Sequence, residues 1–336
     1  MSWFVARGGA LEIVVTEASR GAPEFELIDR IRARARTRSD VVLGIGDDAA
    51  LLRMPAGKLL VVATDTLNAG VHFPTGTAPA EIGWKALAVN LSDLAAMGAQ
   101  PAWCTLSLSL PGGDAAWLDG FLEGFLALAD QHGIALVGGD TTRGPLSICV
   151  TVHGLVDDGA ALRRDGAQAG DDIWVSGTLG DAAGALAQWQ QGQPVEPPLR
   201  ARLERPTPRV ALGLALAGVA DAAIDVSDGL LADLAHLCNA SGVGAEVDVE
   251  AMPASAALRA TFDDAACREL QASGGDDYEL CFTATADRRD AVARIAREVG
   301  TAISCIGRVV PGVGVHAHLA DGRPWRPAHA GYVHFE

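Results

Sequence analysis

From Glu24 onward, short β-branched apolar runs alternate with longer stretches of helical periodicity. Such a chain must bury one stripe of each helix against a sheet face, so it is an α/β or α+β protein. Residues 24–36 read as an amphipathic helix, with Arg30, Arg32, Arg34, Arg36 and Arg38 on a solvated face. Residues 58–67 read as a strand. Pro79 suits the first turn of a helix running to about Met97, where Gly98 is a stop signal. Residues 102–110 alternate apolar with hydroxyl side chains, the pattern of a half-buried strand. A second long helix is expected over 115–131, then a strand into Gly138-Gly139-Asp140 and another over 146–156.

The polar, glycine-rich stretch 159–170 reads as a domain boundary, and a new strand begins at Ile173. The expected division is an N-terminal extension over 1–22, a first domain over 23–160 and a second over 161–336. The halves echo one another. Residues 90–95 resemble 230–235, and Gly138-Gly139-Asp140 resembles Gly274-Gly275-Asp276.

The chain has 26 cationic and 42 acidic residues and a formal charge of −16, which disfavours nucleic acid and anionic membranes as partners. Lys58 and Lys85 are the only lysines, so a phosphate ligand would need positive charge from elsewhere, and a divalent cation is the natural source. The six cysteines form no CxxC pair and read as reduced core residues, as expected in the cytoplasm. No apolar run approaches the roughly 20 residues that span a bilayer.

Aspartate stands in unusual places. Asp48 follows Gly44-Ile45-Gly46-Asp47, Asp65 closes an apolar strand, and Asp93 sits inside an apolar helix. Asp140 follows two glycines, and Asp225 and Asp228 flank a strand-to-helix turn. One such residue is usually a cap or turn former. Six together suggest carboxylates gathered on a hard cation, because burying each alone is costly. Asp47 and Asp48 should point to opposite sides of an extended backbone.

Familiar nucleotide motifs are missing. There is no GxxxxGK[ST] and no protein-kinase set. Residues 44–49 fit G-x-G-x-x-A with Asp65 about 20 residues on, as in a dinucleotide fold. Two carboxylates would face the pyrophosphate there, and Pro55 and Gly57 interrupt the helix that should follow. His72 lies in a loop where either a ligand contact or an ordinary surface role is open. Arg164 could clamp a phosphate or simply face solvent. Residues 177–180 could bind an anion or form a plain turn.

Taken in order, residues 44–49, 64–67, 85–99, 138–144, 223–230 and 274–280 resemble the thiamine-monophosphate kinases. Ser-Asp-Gly and Gly-Gly-Asp alone would indicate only the wider superfamily of aminoimidazole ribonucleotide synthetase and selenophosphate synthetase. The resemblance implies a two-domain aminoimidazole ribonucleotide synthetase-like α/β fold. The N-terminal sheets of two subunits would pair into a barrel across a homodimer. It also implies ATP and thiamine monophosphate as substrates, with several Mg2+ ions. By similarity, Asp48, Thr64, Asp65, Asp93, Asp140, Asp225 and Asp228 match magnesium-binding positions. Gly139, Asp140, Arg164 and Ser227 match nucleotide contacts, and His72, Asp276 and Tyr332 match contacts to thiamine monophosphate. The chain departs from the family in having Asp276 where Glu is usual and Ala63 where Ser often precedes Thr64.

The expected reaction is direct in-line transfer to an acceptor phosphate that is already ionised, so no general base is assigned. The rivals are another ATP-dependent member of the superfamily, a non-catalytic nucleotide-binding protein and the dehydrogenase. The first is disfavoured by the lack of an N-terminal Cys (as in selenophosphate synthetase) and of a terminal Cys (as in hydrogenase maturation). Intact aspartate spacing disfavours the second.

Overall fold

The structure is a computed structural model that describes residues 22–329 and residue 331. Tyr332 and residues 1–21 lie outside the described residues. The first half runs α1 (Glu24–Arg34), β1 (Val41–Leu43), β2 (Leu51–Leu52), β3 (Lys58–Asn68), α2 (Pro79–Ala96), β4 (Gln100–Leu110), α3 (Ala115–His132), β5 (Ala135–Arg143) and β6 (Ser147–Asp157). The second runs β7 (Asp172–Ser176), α4 (Asp181–Gln190), α5 (Pro197–Glu204), α6 (Val210–Leu216), β8 (Ala222–Val226), α7 (Leu230–Ser241) and β9 (Gly244–Asp248). It continues with α8 (Ala256–Thr261), α9 (Asp264–Ser273), β10 (Glu279–Ala284), α10 (Arg289–Val299), β11 (Ile303–Val310), β12 (Gly314–His318) and β13 (Pro324–Trp325).

β3, β6, β4 and β5 form a four-stranded sheet in that order, and the second half forms a seven-stranded sheet ordered β13-β12-β9-β11-β7-β10-β8. In the first sheet, β3 pairs antiparallel with β6 along its whole length, from Lys58 opposite Asp157 to Asn68 opposite Ser147. β4 and β5 pair in parallel, and α3 supplies the crossover between them. Asp114 starts α3 by accepting from the amides of Ala116 and Trp117, and left-handed Gly133 ends it.

α2 and α3 cover one face of this sheet and cross closely. A Cβ on Gly83 would lie 2.0 Å from the Phe121 carbonyl oxygen, and one on Gly124 would lie 1.8 Å from that of Ala80. Glycine at both positions is what lets the backbones meet. One apolar core runs through both halves, from Leu87, Leu91 and Phe121 to Leu280, Phe282 and Ile295. On the other face, β1 and β2 cover the β4–β5 side, where Val41 and Leu52 pack on Trp103, Ala135 and Val137, and among the described residues the β3 side stays exposed, with Leu60 at 45% and Val62 at 55%.

Three expectations change. Asp65 does not close its strand, because β3 stays paired to β6 on to Asn68–Ser147. Asp140 lies within β5, not at its end, because the strand stays paired to β4 through Ser107–Asp140 and on to Leu110–Arg143. The arginines around α1 are not a uniformly solvated face. Arg30 and Arg34 pair with Asp119, Arg36 with Asp130, and Arg38 with Asp40. Arg32 instead places its guanidinium against Gly46.

Candidate active site

A cleft of about 440 Å3 lies between the two halves. It is lined by Asp65, His72 and Asp93 from the first half and by Asp225, Ser227, Asp228, Asp276 and Tyr278 from the second. Strand alternation turns Asp65 toward α2, on the face that Val150 and Leu106 share across the sheet. β8 ends at Val226, and the turn that follows carries Ser227 and Asp228. Asp233, one turn into α7, accepts from the amides of Ser227, Asp228 and Gly229 and so fixes that turn.

Polar residues of α2 orient the cleft. The Asn90 side-chain oxygen accepts from the Asp65 amide at 3.0 Å. Ser92 donates to Asp225 at 2.8 Å. Asp93, next along the helix, lines the cleft itself. Asn90 and Ser92 were missed as site residues. The signal was present: uncharged polar side chains inside an apolar helix need partners when buried, and both are fully buried.

The carboxyls feel one another. Burial, then the charges of Asp225 and Asp65, raise Asp93 to about 8, against the pull of Arg164. Burial raises Asp225, with Asp65 adding and the Ser92 hydrogen bond and Arg164 opposing. Asp65 is raised by burial, partly offset by His72 and reinforced by Asp228. Burial also lifts Asp233 to about 7. Arg164 is thus brought within electrostatic reach of Asp93 and Asp225, while its neighbour Arg163 pairs with Asp165.

Other expected site residues lie elsewhere. Asp48, Gly139 and Asp140 line a second cleft of about 690 Å3, together with Asp47 and Arg32. Asp47 and Asp48 therefore border the same space, and the Asp48 amide donates to Asp47 at 2.8 Å. Sheet register puts Asp140 and Thr64 on the face opposite Asp65, and the Thr64 hydroxyl donates to the Val150 carbonyl at 3.0 Å. Gly139 is three strands from Asp65 in the same row, about 14 Å at the usual strand spacing.

Among the described residues, no three His, Cys, Asp or Glu side chains stand close enough together to hold a metal ion alone. The donors still suit magnesium. It favours hard oxygen ligands and is commonly held by one or two carboxylates plus substrate phosphates, not by an all-protein cage. Carboxyls with raised pKa values around one cleft are groups that a cation would relieve.

Comparison with known proteins follows the same two halves. The model for the AIR synthase related protein, N-terminal domain, matches residues 46–156, and that for the C-terminal domain matches residues 168–319. The thiamine-monophosphate kinase of Salmonella typhimurium is 47% identical over 93% of this chain and 98% of its own. The crystal structure of thiamine-monophosphate kinase from Stenotrophomonas maltophilia K279a is 59% identical, with a TM-score of 0.84 over 90% of this chain and 98% of that one. AaThiL complexed with AMPPCP and TMP is 34% identical, with a TM-score of 0.75 over 93% and 97%.

Proposed function

The chain belongs to the thiamine-monophosphate kinase family of AIR synthase related proteins, and on that premise we propose that ATP and thiamine monophosphate meet in the cleft between its halves. It phosphorylates thiamine monophosphate to thiamine diphosphate with ATP as donor. The observation that carries the siting is that Asp65, Asp93, Asp225 and Asp228, drawn from both halves, line one cleft.

Asp65, Asp93, Asp225 and Asp228 would hold magnesium there, while Asp48 and Asp140 offer oxygen donors in the second cleft and Thr64 lies on the far edge strand of the sheet, outside both linings. Bound magnesium supplies the positive charge that lets two phosphate-bearing molecules approach. The chain's own contribution is positioning. Asn90 fixes the backbone at Asp65, Ser92 fixes the Asp225 carboxylate, and Arg164 adds a permanent cation beside them. Arg164 and Ser227 would contact the nucleotide at this cleft, whereas Gly139 and Asp140, the other two nucleotide positions, border the second cleft. His72 and Asp276 contact thiamine monophosphate, with Tyr332 as the third such position. The acceptor phosphate is already ionised, so in-line attack on the γ-phosphorus needs no general base.

The working form is a cytoplasmic homodimer. The exposed apolar surface along edge strand β3, with Leu60 and Val62 uncovered, suits pairing with a second copy into a barrel. No helix among the described residues is long and apolar enough to cross a membrane. Product analysis with ATP, Mg2+ and thiamine monophosphate tests the reading, with free thiamine as the control acceptor. Thiamine diphosphate should form from the monophosphate and none from free thiamine; the reverse outcome rejects it.

A further inference from the structure

Lys85 has no part in the phosphate chemistry described so far, yet it is a lysine buried to 2% exposure inside an apolar helix. A buried ammonium is retained only with partners, and both of its partners belong to the candidate substrate site. Its Nζ donates to the carbonyl oxygen of His72 at 3.0 Å and to Oδ2 of Asp276 at 3.0 Å. The Tyr278 hydroxyl donates to the other carboxylate oxygen of Asp276 at 2.9 Å.

The two partners come from opposite halves of the chain. His72 follows β3. Asp276 sits in the turn before β10 with φ at +69°, and Tyr278 has φ at +51°, both in the left-handed region that side chains disfavour. The turn is pinned at its backbone, where the Asp276 amide donates to the Ser227 carbonyl and the Tyr278 amide to that of Val226. Lys85 is the side chain that ties this turn to the loop carrying His72. It also sets a positive charge against Asp276 in a cleft whose other carboxylates would repel a phosphate.

We propose that Lys85 is a positioning residue for the acceptor substrate, fixing the separation of His72 and Asp276 and neutralising Asp276. Asp276 has a short side chain, so its reach toward substrate depends on where Lys85 and Tyr278 hold it. The inference rests on His72 and Asp276 contacting thiamine monophosphate.

The test measures KM for thiamine monophosphate and for ATP, with kcat, in the full chain and in Lys85→Gln, Asp276→Asn and the double variant. Each single variant should raise KM for thiamine monophosphate by about 30-fold or more, the low end of what loss of one partner of a buried charge pair costs, and change KM for ATP less than about twofold. The double variant should be no worse than the poorer single, because both act through one contact. An equal rise in both KM values, a double variant showing the product of the single effects, or unchanged kinetics overturns the proposal. If Lys85→Gln does not fold, Lys85→Arg keeps the buried charge while altering its reach. The same one-sided rise is expected, and its absence overturns the proposal. Wild-type protein that makes no thiamine diphosphate would refute the substrate reading itself, whereas an active wild type without the split in KM refutes only the role of Lys85.

Discussion

A carboxyl raised to about 8, as Asp93 is, makes the folded protein bind more protons than the unfolded chain from the ordinary value of 3.8 up to that pH. The metal-free protein should therefore lose stability as pH rises through that window and level off above it. At ~1.4 kcal/mol per pKa unit, the loss is on the order of a few kcal/mol. Thermal melts at pH 5 and pH 8 in chelator should show the fall, and added Mg2+ should reduce it. Asp93→Asn should make the fall shallower, with Asp65, Asp225 and Asp233 still contributing, and a profile as steep as wild type would refute the assignment. Asp65→Asn and Asp93→Asn should each lower kcat about 100-fold or more, since the charge clamp on a transferring phosphoryl group is lost. Circular dichroism should show both variants folded. Near-normal turnover in both would remove these residues from the site.

At the scale of elements, α2 does more than any other segment to build the cleft. Lys85, Asn90, Ser92 and Asp93 each hold or form part of it, while most of the remaining helix is core. Its position is set by the glycine crossing with α3, so the crossing bears on the site without touching it. Gly124→Ala puts a methyl against the Ala80 carbonyl and forces the helices apart. That should cost about 2–3 kcal/mol by the usual scale of overpacking, read as a lowered denaturant midpoint. An unchanged midpoint would show that the crossing is not tight. Most elements of the first half were legible in the sequence because α2, α3, β3, β4 and β6 are long and strongly patterned, whereas the short helices α5, α6, α8 and α9 of the second half were not read one by one. β1 and β2 were not read, since two- and three-residue strands carry too little periodicity.

For the whole molecule, the feature to account for is the apolar surface exposed among the described residues along β3, an edge strand of the four-stranded sheet. Exposed β-branched and leucine side chains there suit a second copy of the same surface, since closing a barrel removes an open sheet edge. Val62→Asp places a charge on that face without disturbing the buried one. It should convert a dimer into a monomer in sedimentation analysis while the melting profile stays cooperative. A variant that sediments as wild type does would place any interface elsewhere.

The order of local patterns was enough to determine the fold class, the family and the identities of the unusual aspartates, because periodicity and short motifs are properties of neighbouring residues. Which aspartates meet was decided only by the tertiary structure. Asp65 and Asp93 join Asp225 and Asp228 because α2 brings β3 to the end of β8, whereas Asp48 and Asp140 border another cleft. Spacing along a chain does not encode which face of a sheet a partner strand presents; register and packing do. The same reason explains Lys85, which one sequence makes merely rare and the folded chain places between His72 and Asp276.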